Sequence, residues 1–211
     1  MNSTIDALQW RYATKKFDPD KKLSDKQIDI LKQAFNLTAT SYGLQPLKLI
    51  VISDEAIKKQ LVPLSMNQKQ VRDASHVLVL CTEDVVNSQF IKEHFKRVEE
   101  IRNTDRKILK PFESFLIHNF SEKDTEEIDL WMSKQAYLAM GNLLTVCAME
   151  GIDACPIEGF HPERYDKLLK LDELGLRSVL VLPVGFRAED DIFAEFKKVR
   201  RGVGDVIIEI K

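Results

Sequence analysis

The alternation of hydrophobic and polar positions along the chain predicts short buried strands mixed with amphipathic helices. Residues 24–27 (SDKQ) match a helix capping box, and Ile28 and Leu31 follow at helical spacing, which predicts a helix over about 24–36. A polar pair at 53–54 and Pro162 each mark the start of a further short helix. Runs rich in β-branched residues and ended by polar ones predict strands at 47–53, 77–82, 152–157, 178–186 and 205–210.

Two further regions are predicted to be helical. In the segment 124–150 acidic residues occupy the first turn, and apolar residues nearly encircle the second half. Such a helix is enclosed by protein, either at the centre of the fold or at the seam of a dimer, or at both. The segment 84–125 is polar and irregular, with aromatic residues at helical spacing, and we expect a helical excursion from the main core.

Because strands and helices alternate without a regular βαβ rhythm, the sequence favours an α+β fold with helices packed on an antiparallel or mixed sheet. A chain of 211 residues without repeats or linkers is expected to form one domain over 1–211. Hydrophobic residues at 44% beside 30% charged ones are typical of a soluble globular protein and exclude a disordered, collagenous or coiled-coil chain.

Charge and cysteine usage limit the partners and the compartment. A net charge of −2 argues against nucleic acid as the main partner, and the longest uncharged stretch, 135–149, is too short to span a bilayer. The N-terminal residues have no apolar run typical of a signal peptide. Three unpaired cysteines suggest buried thiols in a reducing compartment, so we expect a cytoplasmic protein.

The familiar catalytic motifs GxSxG, HExxH, the P-loop and GxGxxG are absent, which argues against hydrolase, kinase and Rossmann dehydrogenase functions. The four histidines lie far apart at no metal-ligand spacing, so no metal site is expected. Basic residues gather near both ends, in 11–16 and 197–201; Arg11 and Lys15 are neighbours whether that segment is extended or helical. Each group is either a solvated surface or an anion site. The connections 38–46 and 155–160 are either simple turns or ligand-binding loops.

Six segments taken together resemble the FMN-dependent nitroreductase family, in particular its branch of NAD(P)H-dependent oxygen-insensitive nitroreductases and dihydropteridine reductases. They follow the family's order: RYATKKF (11–17), TSYGLQP (40–46), NQKQVRDASH (67–76), WMSKQAYLAMGN (131–142), PIEGF (156–160) and KVRR (198–201). The resemblance implies a nitroreductase-like fold, a mixed and mainly antiparallel sheet flanked by helices. It also implies an intertwined homodimer along the long central helix, with two FMN molecules in the interface.

The resemblance further implies which residues contact the flavin. They are Arg11, Tyr12, Ala13, Lys15, Thr40, Ser41, Gly43, Gln45, Asn67, Gln70, Pro156, Ile157, Glu158, Gly159, Lys198 and Arg200. Among them Arg11 and Arg200 are expected to hold the 5′-phosphate, since a guanidinium can bind it through two hydrogen bonds. The loop containing Thr40 would reach the flavin from the partner subunit. Ala13, Leu47 and Gln70 stand where relatives often carry serine, tryptophan and lysine.

By the same resemblance, hydride passes from NADH or NADPH to FMN and then to a nitroaromatic, a quinone or a related conjugated electrophile in a ping-pong cycle. Lys15 and Glu158 are the expected catalytic residues, and Tyr42, Phe112 and Phe115 are candidates for contact with the acceptor. Two alternatives stay open. One is a flavoenzyme of the same fold with another reaction, dehalogenation or desaturation; the other is a flavin-free interaction module that binds an acidic partner.

Overall fold

A computed structural model describes residues 3–211, and within them helices surround one antiparallel sheet. The helices are α1 (Thr4–Trp10), α2 (Asp25–Asn36), α3 (Glu55–Leu61), α4 (Gln70–Asp73), α5 (Ser88–Arg102), α6 (Arg106–Ser121), α7 (Thr125–Met149), α8 (Pro162–Leu169) and α9 (Val203–Val206). The strands are β1 (Leu47–Ile52), β2 (His76–Glu83), β3 (Asp153–Ala154) and β4 (Leu176–Gly185). They lie in the order β1-β2-β4-β3, and each neighbouring pair is antiparallel.

The two faces of the sheet carry separate hydrophobic clusters, and β2 contributes to both because its side chains alternate. Val77, Val79 and Cys81 pack on one face with buried residues of α3, α4 and α8. Leu78 and Leu80 pack on the other face against α2 and the buried side of α7. The long helix is therefore central on one side, as the sequence predicted.

Most of the predicted helices are confirmed. The capping box at the start of α2 is formed by both of its reciprocal bonds, and α7 begins with a second capping box between Asp124 and Glu127. Asp54 caps α3, and Pro162 opens α8. The excursion predicted over 84–125 consists of α5 and α6, which form a third hydrophobic cluster of their own with residues such as Phe95, Leu116 and Phe120.

Two predicted strands differ from the structure. The strand expected at 152–157 is reduced to β3 and one isolated pair, Ile157 with Val181, because Pro156 between them has no N–H to donate to a ladder. The prediction of a strand at 205–210 is wrong. One helical turn, α9, includes residues 205–206, and residues 207–210 are exposed and lie outside the sheet. β-branched residues favour a strand only where a partner strand is present, and none of the described strands lies alongside them.

The sheet edge at β3 brings the two chain ends together. Ala13 pairs with Ala154 in a parallel bridge, and Phe17 pairs with Arg187 just beyond β4. The basic segment near the N-terminus therefore runs between β3 and the chain that leaves β4. Within residues 3–211, no helix combines the length and the apolar character needed to cross a bilayer.

Candidate functional site

A cavity of about 720 Å³ lies between the two chain ends, a size in the range of small-molecule and cofactor sites. We call it the cationic cavity. Residues 9–13 and 15 form one wall, and residues 193–194 and 196–200 form the other. Lys15 and Phe193 are 178 positions apart in the sequence, yet the β-bridge between Phe17 and Arg187 brings the chain that leaves β4 next to the N-terminal segment.

The electrostatics of the cationic cavity are those of an anion site. Burial and then the charge of Arg200 lower the pKa of the Arg11 guanidinium, and burial, Arg11 and Arg200 lower the pKa of the Lys198 ammonium. Lys198 Nζ also donates to the carbonyl oxygen of Arg11, and Arg11 Nε is buried with no hydrogen-bond partner among the described residues. Three cations that repel one another, one with an unused donor, favour a ligand with two negative charges.

Lys15 is exposed and lines the same cavity. Its backbone is fixed because Thr14 donates to the carbonyl oxygen of Ala154 at 3.2 Å and Lys15 donates to Asp191 Oδ2 at 2.9 Å. Burial raises the pKa of the Cys155 thiol, while the nearby charges of Lys15 and Arg11 partly oppose that rise. These two cations therefore lie near Cys155, in the chain that continues from β3 towards Pro156.

The turn at 156–159 is held from two sides. Tyr137 on α7 donates from its hydroxyl to Glu158 Oε1 at 2.7 Å, and this bond, followed by burial, raises the pKa of the tyrosine. Gln68 Nε2 donates to the carbonyl oxygen of Gly159 at 3.0 Å, next to Asn67, which has a positive φ of 60°. The N–H of Ile157 is bonded to Val181, and its side chain is buried.

In that turn the backbone N–H groups of Glu158 and Gly159 have no hydrogen-bond partner among the described residues. Two adjacent free donors can bind a negatively polarised atom of a ligand. Because Pro156 has no N–H and the N–H of Ile157 is bonded to Val181, Glu158 and Gly159 provide the free backbone donors of the stretch 156–159.

The loop containing Thr40, Ser41, Gly43 and Gln45 lies in another part of the molecule. Ser41 N–H donates to the buried Gln135 of α7 at 2.8 Å. Tyr42 adopts a positive φ of 58°, which costs energy for a residue with a side chain and is held here by its surroundings. Its ring lies 6.4 Å, edge to face, from Phe112, and Phe112 stacks with Phe115 at 6.1 Å, so these three residues form an aromatic wall.

One chain thus brings the expected site residues together in three groups. The cationic cavity, the 156–159 turn and the Thr40 loop each form locally, but none of the described hydrogen bonds joins the Thr40 loop to the cavity. Gln135 holds the Thr40 loop and Tyr137 holds the 156–159 turn. Because these two residues are two positions apart on α7, their side chains point in nearly opposite directions. Gln70 is half-buried in α4, with no side-chain hydrogen bond among the described residues.

Four residues that hold these groups in place are not among the residues that the sequence predicts for the site: Gln68, Gln135, Tyr137 and Asp191. Gln68, Gln135 and Tyr137 lie inside segments that carry the family resemblance, so their position offered a signal. Asp191, one of two consecutive aspartates after β4, offered none.

Comparison with known proteins identifies the family. The model of the nitroreductase family matches residues 8–186. The oxygen-insensitive NAD(P)H nitroreductase of Salmonella typhimurium is 33% identical to this chain, covering 97% of each protein.

Solved structures share the fold. A nitroreductase-like protein from Streptococcus mutans superposes with a TM-score of 0.86 at 22% identity over the whole of both chains. A protein from Exiguobacterium sibiricum, crystallised in complex with FMN, has a TM-score of 0.84 at 20% identity over 100% of this chain and 98% of that one. The chain therefore belongs to the nitroreductase family, an oxidoreductase family that uses FMN as cofactor and NAD(P)H as hydride donor.

Proposed function

We propose that this protein binds FMN in the cationic cavity and transfers hydride from NADH or NADPH to a nitroaromatic, a quinone or a related conjugated electrophile in a ping-pong cycle. The observation that carries the proposal is the convergence of Arg11, Lys198 and Arg200 on one cavity. These cations repel one another when the cavity is empty of anions, and a phosphate dianion would relieve that repulsion.

In such an enzyme, different residues of this chain would have different roles. Arg11, Lys198 and Arg200 would hold the phosphate of FMN, and Lys15 adds a fixed positive charge that favours negative charge developing nearby. The free N–H groups of Glu158 and Gly159 offer donors at the turn. When bound, FMN itself supplies the chemistry that accepts and releases hydride.

The acceptor would meet the aromatic wall of Tyr42, Phe112 and Phe115. The side chains of Phe112 and Phe115 are about half exposed although they belong to a helix with a buried side, so their faces are available to a flat molecule. This wall adjoins the Thr40 loop rather than the cationic cavity. A complete site therefore needs the loop of one copy beside the cavity of another.

We propose a homodimer that meets this need. Large apolar residues are exposed on the outer side of α7 and on the adjoining α1: Leu130, Leu138, Met149, Ile5 and Leu8. The exposed C-terminal residues 207–210 are also rich in isoleucine. Large apolar residues exposed on neighbouring helices support an interface with another protein. Sedimentation of the purified protein tests the proposal: we expect a dimer, and a stable monomer at micromolar concentration would contradict it.

Purification tests the cofactor directly. A flavoprotein is yellow and absorbs at about 450 nm, whereas a flavin-free module that binds an acidic partner stays colourless even after FMN is added. Oxidation of NADH and NADPH should then be followed with a panel of nitroaromatics, quinones and halogenated aromatics, and turnover confined to the halogenated aromatics would point to dehalogenation instead. Desaturation needs a separate assay without NAD(P)H, because a saturated substrate would itself reduce the bound FMN; bleaching of the flavin by such a substrate would point to that reaction.

The Lys15→Ala variant tests the role of the charged wall. We expect slower reduction of bound flavin by NAD(P)H in stopped-flow measurements and weaker FMN binding. Lys16→Ala is the matched control, because Lys16 directs its ammonium to the exposed Asp190 and does not line the cavity. Equal flavin content and equal reduction rates in the Lys15→Ala variant and the native protein would refute the role.

A further inference from the structure

Asp191 joins the two walls of the cationic cavity from behind. Its side chain is only 4% exposed. Oδ2 accepts hydrogen bonds from the Tyr12 hydroxyl at 2.8 Å, the Lys15 N–H at 2.9 Å and the Lys16 N–H at 3.1 Å. Oδ1 accepts from the Phe193 N–H at 3.2 Å. One carboxylate therefore holds the N-terminal wall and the first residues of the C-terminal wall at the same time.

Asp191 is ionised in this position. Burial alone would raise the pKa of its carboxyl group, but the hydrogen bonds from Lys16, Tyr12, Lys15 and Phe193 outweigh burial and lower the pKa. Charge-assisted bonds to backbone N–H groups are stronger than neutral ones, so the junction is rigid.

Little else fixes the C-terminal wall. Within residues 3–211, a single hydrogen bond ties the segment 192–200 to anything before Asp191: the one from Lys198 Nζ to the Arg11 carbonyl oxygen. Most of that segment is exposed. The position of Lys198 and Arg200 opposite Arg11 therefore depends on Asp191, about seven to nine residues upstream, as the last buried anchor.

The same junction is braced from the other side. The guanidinium carbon of Arg187 lies 4.6 Å from the centre of the Tyr12 ring, and the Tyr12 hydroxyl donates to Asp191. Arg187 is itself paired with the buried Asp153. The Tyr12 hydroxyl thus comes to Asp191 from a ring that is already fixed.

We infer that Asp191 is a positioning residue for the phosphate end of the cofactor site: it holds the segment that carries Lys198 and Arg200 at the distance from Arg11 that a phosphate monoester needs. The inference rests on the proposed binding of FMN. Asp191 does not line the cavity, so it acts through other residues. The N-terminal wall, including Lys15, is also held by the β-bridges at Ala13 and Phe17. Removal of Asp191 should therefore affect the phosphate and leave recognition of the flavin ring unchanged.

Comparing FMN with riboflavin, which has the same ring and ribityl chain but no phosphate, isolates this effect. The affinities of both flavins for the apoprotein are measured by quenching of flavin fluorescence, in the native protein and in Asp191→Ala. We expect FMN to bind about ten- to a hundredfold more weakly to the variant, by analogy with residues that orient metal ligands, and riboflavin to bind equally to both. General loss of structure would weaken both flavins together.

Asp190→Ala is the matched control. It removes the same charge from the adjacent position, but Asp190 is exposed and, among residues 3–211, its side chain is paired only with Lys16, so both affinities should stay unchanged. Should Asp191→Ala fail to fold, Asp191→Asn keeps one oxygen acceptor at the junction and is expected to show the same selective loss to a smaller degree. Melting curves of the apoproteins establish which variants are folded.

A double-mutant cycle tests whether Asp191 acts through the cations. In a Lys198→Ala, Arg200→Ala background, adding Asp191→Ala should change FMN affinity by less than about twofold, because the groups that Asp191 positions are already gone. An effect as large as in the native background would overturn the inference, and so would an equal loss of FMN and riboflavin affinity. If the native protein binds neither flavin, the proposed function itself is refuted.

Discussion

Replacing Arg187 by alanine should destabilise the protein more than replacing its partner Asp153 by asparagine. Arg187 Nε donates to Asp153 Oδ1 at 2.7 Å, and the backbone N–H of Arg187 donates to Oδ2 at 2.8 Å. Asp153 is 5% exposed, whereas the Arg187 side chain is 22% exposed and lies between the rings of Trp10, at 4.4 Å, and Tyr12, at 4.6 Å.

The asymmetry follows from what each variant leaves behind. Arg187→Ala leaves a buried carboxylate with only the backbone N–H as partner, and an uncompensated buried charge costs about 3–5 kcal/mol. The variant also loses two cation–π contacts, which contribute about 0.5–1 kcal/mol each at partly exposed sites. Asp153→Asn leaves a guanidinium that still lies against two aromatic rings and can still donate to the amide oxygen of the asparagine, so we expect a loss of about 1–3 kcal/mol.

Urea unfolding of the apoproteins at one fixed protein concentration measures both losses, because a dimer would make apparent stability depend on concentration. Arg187→Lys serves as a control: it keeps the charge but has neither the planar fork nor the stacking surface, so its stability should fall between the native protein and Arg187→Ala. The reasoning is refuted if Asp153→Asn lowers the free energy of unfolding as much as Arg187→Ala does.

Three further predictions follow from single contacts. Gly185→Ala should lower the free energy of unfolding by about 1–3 kcal/mol in thermal melts, since the new Cβ would lie 2.9 Å from the backbone nitrogen of Ser75. Asp191→Asn should be less stable than the native protein above the ordinary aspartate pKa of about 3.9, and the difference should vanish as pH falls through the lowered native pKa of Asp191; a difference that persists at lower pH would contradict the ionised junction. Burial raises the pKa of the Cys81 and Cys147 thiols to about 12, so neither should react with a thiol reagent at pH 8 until the protein is unfolded.

The sequence was sufficient to predict the elements whose structure depends on residues that are close together along the chain. The Ser24–Gln27 capping box and the acidic first turn of α7 are satisfied by bonds between residues three positions apart, so their pattern already contains the partners. The run of apolar residues in β2 likewise predicts a strand whose alternate side chains are buried on both faces of the sheet. The strand predicted at 205–210 shows the limit of this reasoning. Isoleucine-rich residues favour the extended conformation, but a strand also needs a partner strand from another part of the chain, which the local pattern does not specify.

Prediction of the cationic cavity from the sequence meets the same limit. Arg11, Lys15, Lys198 and Arg200 are visible in the sequence as two basic groups, and their chemistry alone allowed either a solvated surface or an anion site. The β-bridges at the sheet edge bring the two chain ends near each other, and Asp191 then joins the two groups through bonds to Tyr12 and Lys15 that span more than 170 positions. As the second of two consecutive aspartates, Asp191 carries no local signal in the sequence. The residues proposed to contact the cofactor could thus be expected from a family resemblance. The residue that holds them in place became visible only through its burial and its four hydrogen bonds.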